Sequence, residues 1–253
     1  MKSICGTILI ALAAAAPALA QENPWTWRKA VPAGQTVEIR GIRGDIRASA
    51  ATGNEVEIIA RKSARDSDPA SVRIVVDEHA GGVVVCALYD GRSSCDAEGR
   101  RTGSSGENDT RVDFEVRLPR GVKFKGRNVS GNVEATGLAA QVSARTVSGN
   151  VRVSTSDIAE ASTVSGSIAA RLGRTDWSGE LDFKTVSGDI DVEFAGDVNA
   201  DVEMSTVSGD IESDWPLAVT TAGRHNIRGR IGAGGRALSF STVSGSVTLR
   251  KAR

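Results

Sequence analysis

Hydrophobic and polar positions alternate along most of this chain, from about residue 35 to its end. Around the middle of the sequence the apolar positions are Leu181 and Phe183, then Ile190 and Val192, with a polar residue between the members of each pair. A period of two is typical of β-strands, and the recurring Val, Ile, Thr and Phe residues favour them further. The pattern therefore predicts an all-β protein.

The strand pattern is interrupted by a short frame that recurs. TVSGDI occupies residues 185–190 and returns unchanged at residues 206–211, and variants of it begin at residues 128, 146, 163, 226 and 242. The copies are spaced by about 20 residues, and the spacing varies while the frame is kept. A strand, a corner and a second strand repeated at this period predict one coil of a β-solenoid per copy.

The frame itself is the predicted corner. Thr185 continues the alternation of the strand before it, whereas Val186 falls in step with Ile190 and Val192 after it. Both apolar sets, Val186 included, can enter one core only if the chain turns between them, and glycine can adopt the positive φ of such a turn. Stacked coils would place Thr on Thr, Ser on Ser and Val on Val, about 4.8 Å apart. The predicted corner glycines are Gly131, Gly149, Gly166, Gly188, Gly209, Gly229 and Gly245.

The part of the chain before the repeats is also strand-like. GIRGDI at residues 41–46 is a degenerate copy of the frame, and Trp25 and Trp27 are candidate lids for an open end of the stack. We predict a single-stack, parallel β-helix-like solenoid over residues 121–253, preceded by an atypical β-rich N-terminal cap over residues 21–120. Residues 91–111 are rich in Gly, Ser and charge and predict a flexible loop, either a partner-contact loop or a surface insertion.

The N-terminus predicts export. Lys2 precedes an Ala-rich apolar run, and small residues ending at Ala20 form a cleavage pattern, so residues 1–20 are a predicted signal peptide. An uncleaved membrane anchor is the alternative. No second apolar span follows, which predicts no stable membrane span after cleavage. The periplasm is the predicted location, with the cell surface and the extracellular space as alternatives.

Cysteine usage and charge limit the chemistry. Cys86 and Cys95 are the two cysteines left after cleavage, and in an oxidising compartment they predict a disulfide. The alternative is a reactive or metal-binding pair, for which only His79 and His225 could serve as further ligands. Lys plus Arg and Asp plus Glu are equal at 31 each, which gives no reason to expect nucleic acid as a partner. No cofactor is expected.

Three segments carry a family resemblance: the TVSGDI frame, VDFEVRLPRGVKF at residues 112–124, and GIRGDI at residues 41–46. Together they resemble the bacterial putative-adhesin family of exported β-solenoid domains, from about residue 35 to the end of the chain. The resemblance implies surface adhesion and offers no catalytic residue. The chain departs from the pattern where Arg228 and Arg230 replace the usual small or acidic residues, which predicts the start of a C-terminal cap.

Two carboxylates are the candidate chemistry. Asp189 and Asp210 follow the corner glycine in consecutive copies, and we predict them one coil apart. Such a pair could act as acid and nucleophile on a polysaccharide or bind calcium; the alternative is a solvated edge, with Arg230 beside Asp210. Aromatic platforms for sugars are few.

We therefore expect a non-catalytic, adhesin-like binding or scaffold protein of the cell envelope, whose partner is a glycan or another protein. The alternative is a polysaccharide-acting β-helix enzyme, a lyase or a hydrolase. The sequence does not predict an oligomeric state.

Overall fold

The computed structural model describes residues 24–90, 94–96 and 106–252. The predicted signal peptide and residues 91–93 and 97–105 of the predicted loop lie outside the described residues. The described chain is almost entirely β-structure. Its strands are β1 Trp25–Lys29, β2 Thr36–Arg40, β3 Ile46–Ala50, β4 Val56–Ser63, β5 Arg73–His79, β6 Gly82–Leu88, β7 Arg111–Leu118, β8 Lys123–Arg127, β9 Val133–Leu138, β10 Val142–Arg145, β11 Val151–Thr155, β12 Ala159–Ser162, β13 Ile168–Leu172, β14 Glu180–Lys184, β15 Ile190–Phe194, β16 Ala200–Ser205, β17 Ile211–Ser213, β18 Ala218–Ala222, β19 Asn226–Ile231, β20 Ala237–Ser241 and β21 Val247–Lys251.

The strands form two facing sheets. Sheet A has ten strands in the order β1-β4-β7-β3-β9-β11-β13-β15-β21-β17, and sheet B has eleven in the order β18-β19-β16-β20-β14-β12-β10-β8-β2-β6-β5. Pairing is parallel throughout the middle of both sheets and antiparallel only at the ends. This is the predicted all-β solenoid.

Each coil consists of one strand of sheet B, a corner or loop, and one strand of sheet A. In stack order the eight coils are β6/β7, β2/β3, β8/β9, β10/β11, β12/β13, β14/β15, β20/β21 and β16/β17, and we number them 1 to 8. The stack order differs from the chain order at both ends. Coils 1 and 2 both come from residues 21–120, the segment predicted as a cap, and they stack in the reverse of their chain order. Coil 7 is the last coil in the sequence and is placed between coils 6 and 8.

The core lies between the two sheets and runs the length of the stack. Alternate residues of the strands in the parallel stack point inward, as the period of two predicts, and equivalent positions stack on each other. Phe183 of coil 6 and Phe240 of coil 7, for example, have parallel rings with centroids 5.5 Å apart. Burial of these apolar side chains is the main force that holds the coils together.

The two ends of the stack are covered differently. Beyond coil 1, sheet A continues with β4 and β1, and sheet B continues with β5, all antiparallel. Beyond coil 8, sheet B continues with β19 and β18, whereas sheet A stops at β17. The one helix in the described part of the chain is the three-residue turn Pro69–Ser71, so no described helix could cross a membrane.

Candidate functional site

The repeated corners stack into one line along the molecule, and each glycine is held there by a close backbone approach. The six corner glycines of coils 3 to 8 have φ between 136° and 150°, in the region that favours glycine. A Cβ on Gly188 would lie 2.2 Å from the carbonyl oxygen of Gly166 in the coil below. Gly44 of coil 2 has φ 111° and extends the line to the degenerate GIRGDI copy. The corner glycines of coils 3 to 8 are Gly131, Gly149, Gly166, Gly188, Gly245 and Gly209, in stack order.

The prediction that Gly229 is a seventh corner glycine is wrong. It lies inside β19, opposite Val202 of β16 in an antiparallel pair, and does not have the positive φ of the corners. NIRGRI at residues 226–231 is therefore a cap strand and not a coil. Its two arginines face outward on sheet B, where Arg228 pairs with Glu203 and Arg230 with Asp201.

The threonine of each frame points inward and bonds to the neighbouring coil. Thr185 Oγ1 donates to the carbonyl oxygen of Gly166 at 2.9 Å, and the same bond recurs in coils 4, 5, 7 and 8 at 2.9–3.1 Å. In coil 3 the amide of Asn128 makes this bond to Gly44. These threonines are only 3–5 % exposed, so the ladder satisfies both the buried hydroxyl and the orphan glycine carbonyl.

The valine of each frame points outward, which corrects the prediction that Val186 enters the core. Val186 is 45 % exposed, because the turn begins at this residue and rotates it away from both sheets. Six valines and the serines that follow them form a continuous exposed line, the corner ridge. The ridge valines are Val129, Val147, Val164, Val186, Val243 and Val207, and their exposure ranges from 44 % to 66 %.

The ridge is regular because its backbone is paired from coil to coil. The ridge serines form successive parallel bridges, in the order Ser130, Ser148, Ser165, Ser187, Ser244, Ser208. At about 4.8 Å per coil the ridge is about 24 Å long. It presents valine methyl groups beside serine hydroxyls and carries no charge of its own.

A second ladder beside the ridge holds the two candidate carboxylates, and it separates them. Asp189 is followed in the stack by Ser246 of coil 7 and only then by Asp210, so the two are not on adjacent coils as predicted. The backbone N–H of Ser246 donates to Asp189 Oδ1 at 2.8 Å, and that of Asp210 donates to Ser246 Oγ at 3.2 Å.

The same bond links this position through the whole stack, from Asp45 to Asp210. Asp189 therefore stabilises the next corner and does not form a carboxylate pair with Asp210. Among the described residues, no group of three or more His, Cys, Asp or Glu side chains is placed to hold a metal ion.

A basic pocket lies at the coil 2 end of the ridge. Arg43 occupies the serine position of the ladder there, next to Ser130, and Arg65 and Arg111 line the same cavity of about 410 Å³. Asp109 also lines the pocket, and its carboxylate accepts hydrogen bonds from the backbone N–H groups of residues 65, 66 and 67. The hydrogen bonds from Ser67 are the main reason that the pKa of Asp109 lies well below its usual range.

The structure contains the disulfide between Cys86 and Cys95. It ties residues 94–96 against the outer face of sheet B, where Val84 and Leu88 are buried. Beside it Arg40 donates to Glu38 at 2.6 Å and to the carbonyl oxygen of residue 96 at 2.8 Å. Burial raises the pKa of Glu38, but the hydrogen bond and charge of Arg40 outweigh this and keep that pKa below its usual value.

The sequence did not identify the ridge as an exposed surface. The valine that the six ridge copies share was the available signal, because the flanking strand positions that face the core vary among Val, Ile, Leu and Phe. The basic pocket brings together residues from four separate segments, and no local pattern marks it.

Comparisons with known proteins found one family and several solved structures. A family model described as Toastrack DUF4097 matches residues 102–250. A crystal structure of a putative cell adhesion protein from Clostridium sporogenes ATCC 15579 aligns with 91 % of this chain and all of that chain, at 10 % identity and a TM-score of 0.45. A putative adhesin from Bacteroides fragilis NCTC 9343 aligns with 91 % of this chain and 98 % of that chain, at 12 % identity and a TM-score of 0.34. Among curated proteins, none matches the sequence.

Proposed function

Because the chain belongs to the Toastrack DUF4097 family, with its coils stacked into a regular outer surface, we propose that it is an adhesin-like binding or scaffold protein of the cell envelope. The protein is exported, acts in the periplasm or at the cell surface, and is not catalytic. The observation that carries this proposal is the corner ridge, six exposed valines in one line with a serine hydroxyl beside each.

A ridge of this kind suits a repeating, extended partner. Each coil presents one small apolar side chain and one hydroxyl group that can donate and accept hydrogen bonds, and this pair of groups repeats about every 4.8 Å. A glycan chain or an extended polypeptide can use many such weak contacts together. Three arginines line the pocket at the end of the ridge, and one of them, Arg111, also lies 3.6 Å from Asp113. The excess of arginine there favours a partner with carboxylate or phosphate groups.

The positions of Asp189 and Asp210 disfavour a retaining glycosidase and a Ca²⁺ site. A glycosidase needs two carboxyl groups facing one bond, and a Ca²⁺ site needs several oxygen ligands around one point. Here the two residues lie two coils, about 9.6 Å, apart along the stack, which is too far for the nucleophile and acid of a retaining enzyme. One oxygen of Asp189 also accepts the backbone N–H of Ser246, which gives this residue a structural role. An inverting enzyme is the alternative that the cleavage assay tests.

The test is binding of the purified chain from residue 21 onward to an array of envelope and matrix glycans, with and without Ca²⁺. Val164→Lys places a charge on the ridge, and Ala169→Lys places the same charge on the exposed face of sheet A in the same coil. We expect binding that Val164→Lys abolishes and Ala169→Lys leaves unchanged. Equal loss in both variants would contradict a role for the ridge, and release of a cleaved sugar would contradict the absence of catalysis.

A further inference from the structure

The coil 8 end of the stack is stepped. Sheet B extends past coil 8 by two strands, β19 and β18, while sheet A ends at β17. No described strand of sheet A lies opposite the β18–β19 hairpin, and we call this place the recess. The inner face of β19 is already partly covered there, since Ile231 is buried and Leu217 lies against Gly229, whereas Val219 of β18 is 48 % exposed.

The edge of β17 is unpaired on the side of this recess. The carbonyl of Asp210 and the N–H of Asp214 bond to β21, at Val247 and Leu249. Because these groups alternate along a strand, the N–H and C=O groups of Ile211 and Ser213 face away from β21, and no described strand pairs with them. Ile211 is only partly buried, whereas its equivalents Val133, Val151, Ile168, Ile190 and Val247 are 0–1 % exposed.

The overhanging strand β18 is a second open edge. Its sequence, AVTTA, contains no charge and no proline, and every one of its residues is exposed, with Val219 at 48 %. Natural edge strands are normally protected by charges, proline, bulges or a covering segment. Of these features β18 has one, a shift of its register against β19 between Val219 and Thr221. The indole N–H of Trp215, which follows β17, is buried without an acceptor among the described residues. Buried donors usually have one.

We propose that two copies of the chain associate through these ends as a symmetric dimer, in which each β18–β19 hairpin fills the recess of the other copy. A two-fold axis along the strands exchanges the positions of sheets A and B. The order across one sheet then becomes β21, β17, the partner's β18, the partner's β19 and the partner's β16. The overhang and the recess are both two strands deep, so both sheets become continuous at once and β17 pairs antiparallel with the partner's β18.

The charges of the two surfaces are complementary. The β17 segment, residues 210–214, contains three acidic residues, whereas the hairpin from Ala218 to Ile231 contains three arginines, a histidine and no acidic residue. Arg228 and Arg230 are paired within their own chain, so Arg224 at the hairpin turn is the arginine that decides the match. The carbonyl oxygen of His225, the next residue, accepts the backbone N–H of Thr206, so the hairpin turn lies at the same end of the strands as the corner of coil 8. The two-fold axis runs along the strands and keeps both at that end, which brings Arg224 near the partner's Asp210.

An interface of this kind is isologous and closes at two copies. It leaves the corner ridge uncovered and places both ridges on the same side of the dimer. It also does not depend on the proposed function, because no ridge residue takes part in it except Val207 at the end.

The first experiment measures the mass of the purified chain from residue 21 onward by sedimentation over a wide range of concentration. We expect a monomer–dimer equilibrium. Ile211→Lys puts a charge into the recess and should raise the dimer dissociation constant by at least about thirtyfold, the effect of losing a central interface residue. Val243→Lys makes a similar change on the ridge and should leave the dimer intact while it weakens ligand binding, which separates this proposal from the proposed function.

A charge exchange tests the symmetry and does not depend on the folding of the Ile211 variant. Asp210→Arg and Arg224→Asp are both at exposed positions, and each alone should weaken the dimer. The double variant should restore it, because each chain then carries both reversed partners. A chain that stays monomeric at every concentration, a mass that grows beyond two copies, or a double variant weaker than both single variants would overturn the proposal.

Discussion

The threonine ladder predicts that substitutions at two adjacent residues, the inward Thr185 and the outward Val186, have different effects on stability. Thr185→Val keeps the size and β-branching of the side chain and removes the hydroxyl that donates to the Gly166 carbonyl at 2.9 Å. Val186→Thr makes the reverse change one residue later, on the exposed ridge. Only the first change should matter to stability.

The magnitude follows from what the carbonyl loses. No other hydrogen bond to the Gly166 oxygen is seen in the described part of the chain, and Thr185 is 5 % exposed, so water does not readily replace the hydroxyl. An unsatisfied partly buried acceptor costs about 1–3 kcal/mol, while an exposed substitution stays within about 0.5 kcal/mol. For a chain of this size the melting temperature should fall by about 2–4 °C for each kcal/mol.

The assay is equilibrium unfolding in urea, followed by circular dichroism, for the wild type and both variants. We expect a lower midpoint for Thr185→Val with an unchanged slope, and an unchanged midpoint for Val186→Thr. Equal stability of Thr185→Val and the wild type would refute the argument that the ladder satisfies the corner carbonyls. A large effect of Val186→Thr would refute the outward placement of the valine.

Three further predictions concern the corners, the disulfide and the acid limb of stability. Gly188→Ala should cost more than about 3 kcal/mol, because its Cβ meets backbone at 2.2 Å, whereas Gly179→Ala, with open space around it, should show only the cost of its positive φ in the same urea assay. Replacing Cys86 and Cys95 by alanine opens a short loop and should cost about 2–3 kcal/mol, with faster hydrogen exchange in β6; unchanged exchange would contradict the covering role of residues 94–96. The lowered pKa of Asp109 means that its contribution to stability is complete above about pH 4 and is lost as the pH falls toward that lowered pKa, so Asp109→Asn should flatten the acid side of a calorimetric pH series.

The repeating part of the fold could be predicted from the sequence because each level of the pattern agrees with the next. The alternation around Phe183 gives the strands, the glycine at position 188 gives the corner, and the spacing of about 20 residues gives the coil. Identical frames also predict like-on-like stacking, since only residues of the same shape fit in register one coil apart.

The order of the coils could not be predicted in the same way. Consecutive copies of a repeat normally stack on each other, and this assumption put Asp189 next to Asp210. The structure places coil 7 between them because residues 214–236 leave the stack to form the cap and the chain then returns. The signal was present at Arg228 and Arg230, whose charges do not fit a stacked corner, but nothing local shows where the chain re-enters.

The outward orientation of the frame valines could not be predicted for a different reason. Period-two alternation assigns every residue to one of two sides, and a corner has a third direction, away from both sheets. Val186 takes that direction because Thr185 remains buried before it and Ile190 is buried after it. The polarity pattern alone cannot distinguish an apolar residue on a corner from one in the core.

The position of the last coil also determines how the molecule would respond to tension. β20 and β21 each have a strand on both sides, so the C-terminal segment is hydrogen-bonded along two edges in both sheets. A pull on the C-terminus cannot peel this segment from an open end, as it could the outermost strand of an ordinary stack. It has to break the bonds of β20 and β21 to coil 6 and to coil 8 at the same time. Because coil 7 is inserted between two other coils, the last coil of the sequence should resist being pulled out of the stack more strongly than a coil at an open end.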